Sequence, residues 1–239
     1  MKNLTAIITG ASGGIGRTIA YSLAKEGCNL VLFGGTNAKK LEDTALALKK
    51  EFNGIAVDFY PCDLTDDKSV ISLFKKAAKN GVDVLINNAG LAYSAPVENT
   101  DMQTFDRIMK VNFRAPVLLT KEALPYLRLS KRASIINIAS VVAHNGYPLQ
   151  SAYTASKHAL LGFTKSIAAE LYNQGIRVHV ISPGGVYTDM IKTARPDLTG
   201  EDMIMPEDVA DTVLFLLKNR TNAVIDEIRL HRAAKQPFS

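Results

Sequence analysis

A tyrosine and a lysine one helical turn apart form a pattern in this sequence that could carry out proton transfer. Tyr153 and Lys157, in Tyr-Thr-Ala-Ser-Lys, share one face of the helix predicted over 152–173. A free phenol has a pKa of about 10 and is a poor acid or base near neutral pH, unless a nearby cation favours its phenolate. Lys157 would supply that cation. Taken alone, such a pair is usually a solvated helix surface.

A serine upstream strengthens the case for chemistry. Ser140 follows the apolar run 133–138 and precedes Tyr153 by thirteen residues. The run predicts a buried strand, so Ser140 should lie at its carboxyl end. There its hydroxyl could hold a substrate carbonyl beside the phenol of Tyr153.

A glycine-rich segment joins the first predicted strand to the first predicted helix. It reads Thr-Gly-Ala-Ser-Gly-Gly-Ile-Gly from Thr9 to Gly16. Small residues allow a tight turn and a close approach of the backbone to a pyrophosphate, and the amino terminus of the helix attracts that anion. Because a strand precedes the turn and a helix follows it, the segment predicts a dinucleotide site. The residues assigned to that site are Gly10, Ser12, Gly14, Ile15 and Gly16.

The end of the second predicted strand bears on the choice between NAD and NADP. A carboxylate there would bind a ribose 2′-hydroxyl and repel a 2′-phosphate. The sequence has Phe-Gly-Gly-Thr-Asn over 33–37, with no acid. Thr36 and Asn37 could donate to a phosphate, and Lys39 or Lys40 could add charge, although no arginine follows the strand. NADP(H) is therefore favoured, and NAD(H) is left open.

Apolar runs alternate with amphipathic stretches along the whole chain. The runs are nearly continuous in hydrophobicity, which is typical of parallel strands buried on both faces. Their alternation with helical patterns predicts βαβ units, and hence one α/β domain over 1–239 with a doubly wound (Rossmann-type), seven-stranded parallel sheet and helices on both faces. The irregular stretch 184–205 is a candidate substrate lid. The predicted strands are 4–9, 29–33, 55–60, 82–86, 133–138, 176–181 and 224–230, and the predicted helices include 15–25, 39–52, 68–80 and 152–173.

Composition and charge argue against several other classes of protein. The net charge is +5, but the basic residues alternate with acidic ones, so a nucleic-acid-binding face is not predicted. No apolar run approaches the roughly 18 residues of a membrane span. The amino terminus predicts a strand rather than a signal peptide, which favours a cytoplasmic protein. The four histidines form no metal-ligand motif, and Cys28 and Cys62 are predicted to be reduced and buried.

Together, the glycine turn and the Ser-Tyr-Lys set resemble the short-chain dehydrogenase/reductase family, and the resemblance extends from Thr9 to about Leu217. Three further segments resemble the family's cofactor contacts, and Asn112 resembles the asparagine that completes its catalytic tetrad by ordering a water. By the same resemblance, Lys157 would also hold a ribose hydroxyl. The additional cofactor-binding residues that the resemblance implies are Asp63, Leu64, Asn88, Ala89, Gly90, Pro183, Gly184, Val186 and Thr188.

The resemblance implies hydride transfer between NADP(H) and a small carbonyl or secondary alcohol. Ser140 would bind the carbonyl oxygen, Tyr153 would donate the proton, and Lys157 would lower the phenol pKa. His144, Tyr147 and Gln150 could line the substrate entrance, and Met190, Ile191 and Met203 could form an apolar wall. A homodimer or homotetramer is implied through segments near 101–127 and 152–173.

Two alternative functions remain open at this point. The first is a 3-oxoacyl-(acyl-carrier-protein) reductase, although the tail 226–238 lacks the Gly-Gly segment of many such enzymes. The second is a nucleotide-sensing protein without catalytic activity, although Asn112, Ser140, Tyr153 and Lys157 are all present.

Overall fold

A single seven-stranded parallel sheet organises the chain. The structure is a computed structural model that describes residues 1–35, 37–189, 191 and 199–236. The strand order is β3-β2-β1-β4-β5-β6-β7, and every pairing is parallel. The predicted doubly wound α/β fold is confirmed. The strands are β1 (Thr5–Thr9), β2 (Asn29–Gly34), β3 (Val57–Pro61), β4 (Val84–Asn87), β5 (Ser134–Ile138), β6 (Arg177–Pro183) and β7 (Glu227–Leu230).

Helices cover both faces of the sheet, which explains why the central strands are apolar on both sides. All five residues of β1 and of β5 are buried. Alternate strand residues pack against α1, α2 and α7 on one face and against α3, α5 and α6 on the other. The helices are α1 (Gly14–Lys25), α2 (Ala38–Glu51), α3 (Asp67–Ala77), α4 (Met102–Met109), α5 (Ala115–Leu127), α6 (Ser151–Leu171) and α7 (Pro206–Lys218).

The strand order reverses direction between β1 and β4. The chain builds β1, β2 and β3 outward to one side, then returns to place β4 on the other side of β1. Ligands of open α/β sheets bind at such a switch point, beyond the carboxyl ends of the strands. Thr9, Asn87 and Ile138 end three adjacent strands at this edge.

Two segments differ from the sequence prediction. The last strand was predicted over 224–230 but begins at Glu227. Within the predicted run, the Ile225 carbonyl is bound by the side chain of His179, whose Nδ1 lies 2.7 Å away. Between α4 and α5, residues Lys110–Arg114 form a π-helical turn that the apolar pattern did not predict.

Within the described residues, no helix is both long enough and apolar enough to cross a membrane. The same part of the chain contains no group of three or more His, Cys, Asp or Glu side chains placed to hold a metal ion. Cys28 and Cys62 are buried free thiols, and burial raises the pKa of each to about 11.

Candidate active site

The glycine-rich turn follows β1 and leads directly into α1. At Gly16 a Cβ would lie 2.3 Å from the Gly10 carbonyl oxygen and 2.5 Å from Asn88 Nδ2, so any larger residue would displace backbone. Gly14 has φ +48°, a left-handed conformation that favours glycine. No side chain caps the amino terminus of α1, whose first N–H groups face the turn. The turn therefore offers an anion the donors and the close backbone approach that a pyrophosphate needs.

A threonine that the sequence prediction missed joins this turn to β4. The Thr9 hydroxyl accepts hydrogen bonds from the backbone N–H groups of Asn88 and Ala89, both at 3.0 Å. Asn88 Nδ2 donates to the Thr9 carbonyl at 2.9 Å. These bonds place the predicted residues Asn88, Ala89 and Gly90 beside the glycine turn. The sequence signal for a role of Thr9 was its place as a polar residue at the end of an otherwise apolar strand.

The end of β2 lies next to the first turn of α2. Asn37 caps this helix, and its Oδ1 accepts from the Lys40 backbone N–H at 3.0 Å. Thr36, a predicted phosphate contact, lies outside the described residues. A Cβ at Gly34 would meet Leu41 at 2.9 Å, whereas no atom lies within 4 Å of a Cβ at Gly35.

Of the two candidate lysines, Lys40 faces the glycine turn. Its Nζ lies 3.7 Å from the position of a Cβ on Gly13, and it pairs with Asp189 at 3.1 Å. Lys39 instead pairs with Glu42 and Asp43 on α2. Lys40 also lines a cavity of about 630 Å³ that begins at Gly13 and Gly14. Of the two candidate lysines, Lys40 is therefore the one near the turn, and Arg17 lines the same cavity.

Asp63 follows β3 and has a fixed side chain. Its Oδ1 accepts from the backbone N–H and the hydroxyl of Thr65, at 2.9 and 2.8 Å. These bonds lower the pKa of the carboxyl, because they stabilise the charged form. The cap of α3 is Asp66, so Asp63 is not needed for that purpose. Leu64, beside it, is partly buried against the core.

Ser140, Tyr153 and Lys157 come together beyond the carboxyl end of β5. Ser140 caps a short 3₁₀ turn over Val141–Ala143, and its hydroxyl interacts with the Tyr153 phenol. Lys157 Nζ lies 5.8 Å from the centre of the Tyr153 ring and donates to the Ile138 carbonyl at 2.8 Å. The predicted triad is thus one cluster in space.

Burial dominates the protonation of this cluster. It raises the pKa of the Tyr153 phenol, and the interaction with Ser140 opposes that rise only in part. Burial also lowers the pKa of the Lys157 ammonium from 10.5 to about 8. The net shift of the phenol pKa is therefore upward in this structure, because loss of water around the phenolate outweighs the interaction with Ser140. The lowering effect of Lys157 stays a prediction. Tyr153 carries its proton at neutral pH and can act as an acid.

Asn112 sits in the π-helical turn and is completely buried. Its Oδ1 accepts from the Leu91 N–H at 2.7 Å, and its Nδ2 donates to the Leu91 carbonyl at 2.9 Å and to Ser156 Oγ at 3.0 Å. Ser156 in turn donates to the Tyr153 backbone carbonyl at 2.7 Å. The turn thus points the Asn112 amide into the site and ties it to α6, a use of π-helical geometry common at functional sites.

Gly90 lies between Asn112 and Lys157. A Cβ there would lie 3.5 Å from Asn112 Oδ1 and 3.6 Å from Lys157 Nζ. The bare backbone leaves space beside the ammonium that a side chain would fill. A ribose could occupy this space, and on this observation the residues fit a dinucleotide.

The loop after β6 returns to the glycine turn. The Gly184 N–H donates to the Leu230 carbonyl at 2.8 Å, and Val186 forms a parallel bridge with Ile204. Thr188 Cγ2 lies 3.2 Å from the position of a Cβ on Gly14. Of the predicted lid, residues 190 and 192–198 lie outside the described residues.

A carboxylate on β7 joins two loops of the site, and the sequence prediction missed it. Glu227 Oε1 lies 2.5 Å from His144 Nε2 and accepts from Ser182 Oγ at 3.2 Å. Arg229 Nε lies 3.3 Å from the same oxygen. His144 follows the turn that carries Ser140, and Ser182 precedes Pro183. No local pattern could have paired residues so far apart in the chain.

A comparison with family models matches residues 4–199 to the short chain dehydrogenase model. The chain belongs to the short-chain dehydrogenase family. It is therefore an oxidoreductase acting on CH–OH groups. Tyr153 and Lys157 both lie within the part of the chain that this family model covers.

Relatives of this short-chain dehydrogenase differ in the activity their names give. It is 34% identical to a 3-oxoacyl-(acyl-carrier-protein) reductase of Rickettsia conorii, over 92% of this chain and 91% of that protein. It is also 34% identical to a D-beta-hydroxybutyrate dehydrogenase of Rhizobium meliloti, over 88% and 82%. An alcohol dehydrogenase of Thermococcus sibiricus, solved with 5-hydroxy-NADP, superimposes with a TM-score of 0.88 at 28% identity, over 98% of both chains.

Proposed function

We propose that this protein transfers hydride between NADP(H) and a carbonyl or secondary alcohol, with Tyr153 as the proton donor or acceptor. The observation that carries the proposal is the cluster of Ser140, Tyr153 and Lys157 beside the Gly90 backbone. It joins an acid, a hydroxyl for the substrate oxygen and a buried cation at the edge where the glycine turn lies.

The side chains divide the work of the reduction. The Ser140 hydroxyl holds the carbonyl oxygen, and the Tyr153 phenol donates its proton to that oxygen as negative charge develops. A bound nicotinamide dinucleotide supplies the hydride. Lys157 holds a ribose hydroxyl and returns a proton to Tyr153, and Asn112 orders the water that connects Lys157 to solvent. Alcohol oxidation uses the same groups in reverse.

The dinucleotide would lie along the edge from β3 to β6. The glycine turn would hold the pyrophosphate, Asp63 and Leu64 the adenine, and Asn88 to Gly90 the central riboses. Pro183, Gly184, Val186 and Thr188 would contact the nicotinamide side, under a lid formed by 184–205.

The preference for NADP(H) rests on charge near the adenosine ribose. No acidic residue follows β2 over 34–37. The Lys40 ammonium lies 3.7 Å from a Cβ position on Gly13 and pairs with the exposed Asp189, which a 2′-phosphate would replace as its partner. Asn37 and Thr36 add further donors. These features favour NADP(H), with NAD(H) as a weaker cofactor.

The experiment measures oxidation of NADPH, and separately of NADH, against diketones, semialdehydes, keto esters and a 3-oxoacyl thioester. We expect turnover with NADPH on small carbonyls. Tyr153→Phe should keep NADPH affinity within about twofold and lose turnover by a factor of about 1,000 or more. Substantial residual turnover in Tyr153→Phe would show that another group supplies the proton.

A second candidate is reduction of 3-oxoacyl thioesters on acyl carrier protein. It is favoured by the relatives that bear this name, including the one from Rickettsia conorii. Turnover confined to the thioester in the same panel would select this activity over the first.

The proposal also includes a cytoplasmic location and self-association as a homodimer or homotetramer. The support for self-association is the family resemblance of the segments near 101–127 and 152–173. Light scattering coupled to gel filtration measures the mass in solution, and a monomer would contradict this part of the proposal.

A further inference from the structure

We infer that the site takes an uncharged ketone bearing an apolar chain, and that the chain lies across three exposed side chains at the entrance. These are Val97, Tyr147 and Leu149, here called the entrance rim. The inference rests on the proposed function, because it names the substrate class of the same site.

The entrance rim belongs to two loops that leave neighbouring strands. Residues 91–101 follow β4 and Gly90, and residues 141–150 follow β5 and Ser140. The Ala95 N–H donates to the Leu149 carbonyl at 2.8 Å, which joins the two loops. Leu149 precedes Tyr153 by four residues. The rim therefore lies on the two loops that follow Gly90 and Ser140, and Leu149 lies just before the helix that carries Tyr153.

The rim is apolar and open to solvent. Val97 is 73% exposed, Leu149 is 55% exposed and Tyr147 is 45% exposed. Leu149 also has φ +66°, a left-handed conformation that bulky residues rarely adopt. Leu149 thus combines an exposed apolar side chain with a backbone conformation that is unfavourable for leucine. Grouped apolar exposure at the entrance of a site is typical of a surface that binds an apolar ligand.

The charge of the surrounding loops disfavours an anionic substrate. Residues 91–101, 141–150, 184–189 and 199–205 contain five acidic residues and neither lysine nor arginine. Asp189 pairs with Lys40, and the four other acidic residues give these loops a net negative charge, which disfavours the approach of a carboxylate. Lys192 and Arg195, in the intervening stretch, lie outside the described residues.

His144, the histidine in these loops, is already engaged. Its Nε2 lies 2.5 Å from Glu227 Oε1, and its side chain is 11% exposed. A substrate carboxylate would have to displace Glu227 to reach it. Arg229 Nε lies 3.3 Å from the same Glu227 oxygen. Among the described residues, the two basic side chains at Glu227 are thus both engaged by an internal carboxylate, and the rim itself offers apolar contact.

The test compares matched substrates with the intact protein and NADPH. Methyl acetoacetate against acetoacetate isolates the carboxylate charge, and butanone, methyl butyl ketone and methyl hexyl ketone isolate chain length. We expect kcat/KM to be about tenfold or more higher for the ester than for the acid. Each added methylene, half-buried on the rim, should raise kcat/KM about twofold.

Variants locate the chain on the rim. Leu149→Asn replaces the apolar side chain with one that tolerates the left-handed conformation, so the loop should keep its shape. It should reduce the gain per methylene to near zero, and Val97→Thr, which keeps the shape of the side chain, should reduce it in part. Leu129→Asn, at a leucine 85% exposed beyond the end of α5, is the matched control and should keep the full gain.

The outcomes separate this inference from the proposed function. Equal or faster turnover of acetoacetate, or an unchanged gain per methylene in both Leu149→Asn and Val97→Thr, overturns the inference alone. Turnover of butanone with no gain from added methylenes also overturns it and leaves the proposed function standing. Failure of NADPH oxidation with every carbonyl tested overturns both.

Discussion

Replacing Lys157 with methionine should reveal a cost of burying its charge that depends on pH. Lys157 is 3% exposed, and burial lowers the pKa of its ammonium from 10.5 to about 8. Between those two pH values, this lysine is therefore protonated in the unfolded chain and deprotonated in the folded protein. Stability rises with pH wherever the unfolded state binds more protons. Over this window, Lys157 makes the wild-type protein more stable as pH rises.

The size of the effect follows from the shift. A displacement of about 2.5 pKa units corresponds to about 3 kcal/mol, at about 1.36 kcal/mol per unit. Between about pH 7 and about pH 10.5, the unfolding free energy of the wild type relative to Lys157→Met should therefore rise by about 3 kcal/mol. Differences in packing between lysine and methionine are independent of pH, so they cancel from this change.

The assay is denaturant unfolding of both proteins at the two pH values, at one fixed protein concentration. Lys165→Met, which removes an exposed lysine from the same helix, is the control and should show no such change. A relative stability of Lys157→Met that stays constant within about 0.5 kcal/mol would refute the reasoning. It would mean that Lys157 has water or an anion beside it, so that its charge is not costly.

Two further substitutions test the cofactor site. Lys40→Gln should weaken NADPH binding about tenfold and leave NADH binding unchanged. Lys39→Gln is the control and should change the binding of neither cofactor. Equal losses of affinity for both cofactors in Lys40→Gln would contradict the phosphate contact. Gly16→Ala places a Cβ 2.3 Å from the Gly10 carbonyl oxygen, so dinucleotide affinity measured by fluorescence should fall about tenfold or more. Gly162→Ala is the control, because no atom lies within 4 Å of the new Cβ on α6. It should keep dinucleotide affinity and stabilise the protein by about 1 kcal/mol. Retained affinity in Gly16→Ala would show that the turn is not tightly packed.

The sequence predicted those elements whose cause is local. Apolar runs predicted all seven strands. The central strands are apolar at nearly every position because helices cover both of their faces, whereas the edge strands β3 and β7 are only partly buried. The pattern over 152–173 predicted α6, observed as Ser151–Leu171. The bounds were less accurate where a distant side chain binds the backbone, as before β7, where His179 binds the Ile225 carbonyl.

In the candidate site, too, local features were predictable from the sequence and features set by distant residues were not. Tyr153 and Lys157 were predictable from spacing, and Ser140 from its place after a strand. Their protonation was not, since burial is set by the whole fold and here raises the pKa of the phenol. Glu227 also escaped prediction, because its contact with His144 joins residues that only the completed sheet brings together.

The strand order also bears on how the chain folds as it is synthesised. Each of β2 and β3 is laid beside the strand made just before it, and so are β5, β6 and β7. The exception is the pairing of Ala6–Ile8 with Val84–Ile86, which must wait for almost eighty further residues. Until then, the growing chain carries an unpaired apolar strand edge, which is the kind of surface that aggregates. We therefore expect the nascent chain to be prone to aggregation between completion of β3 and arrival of β4.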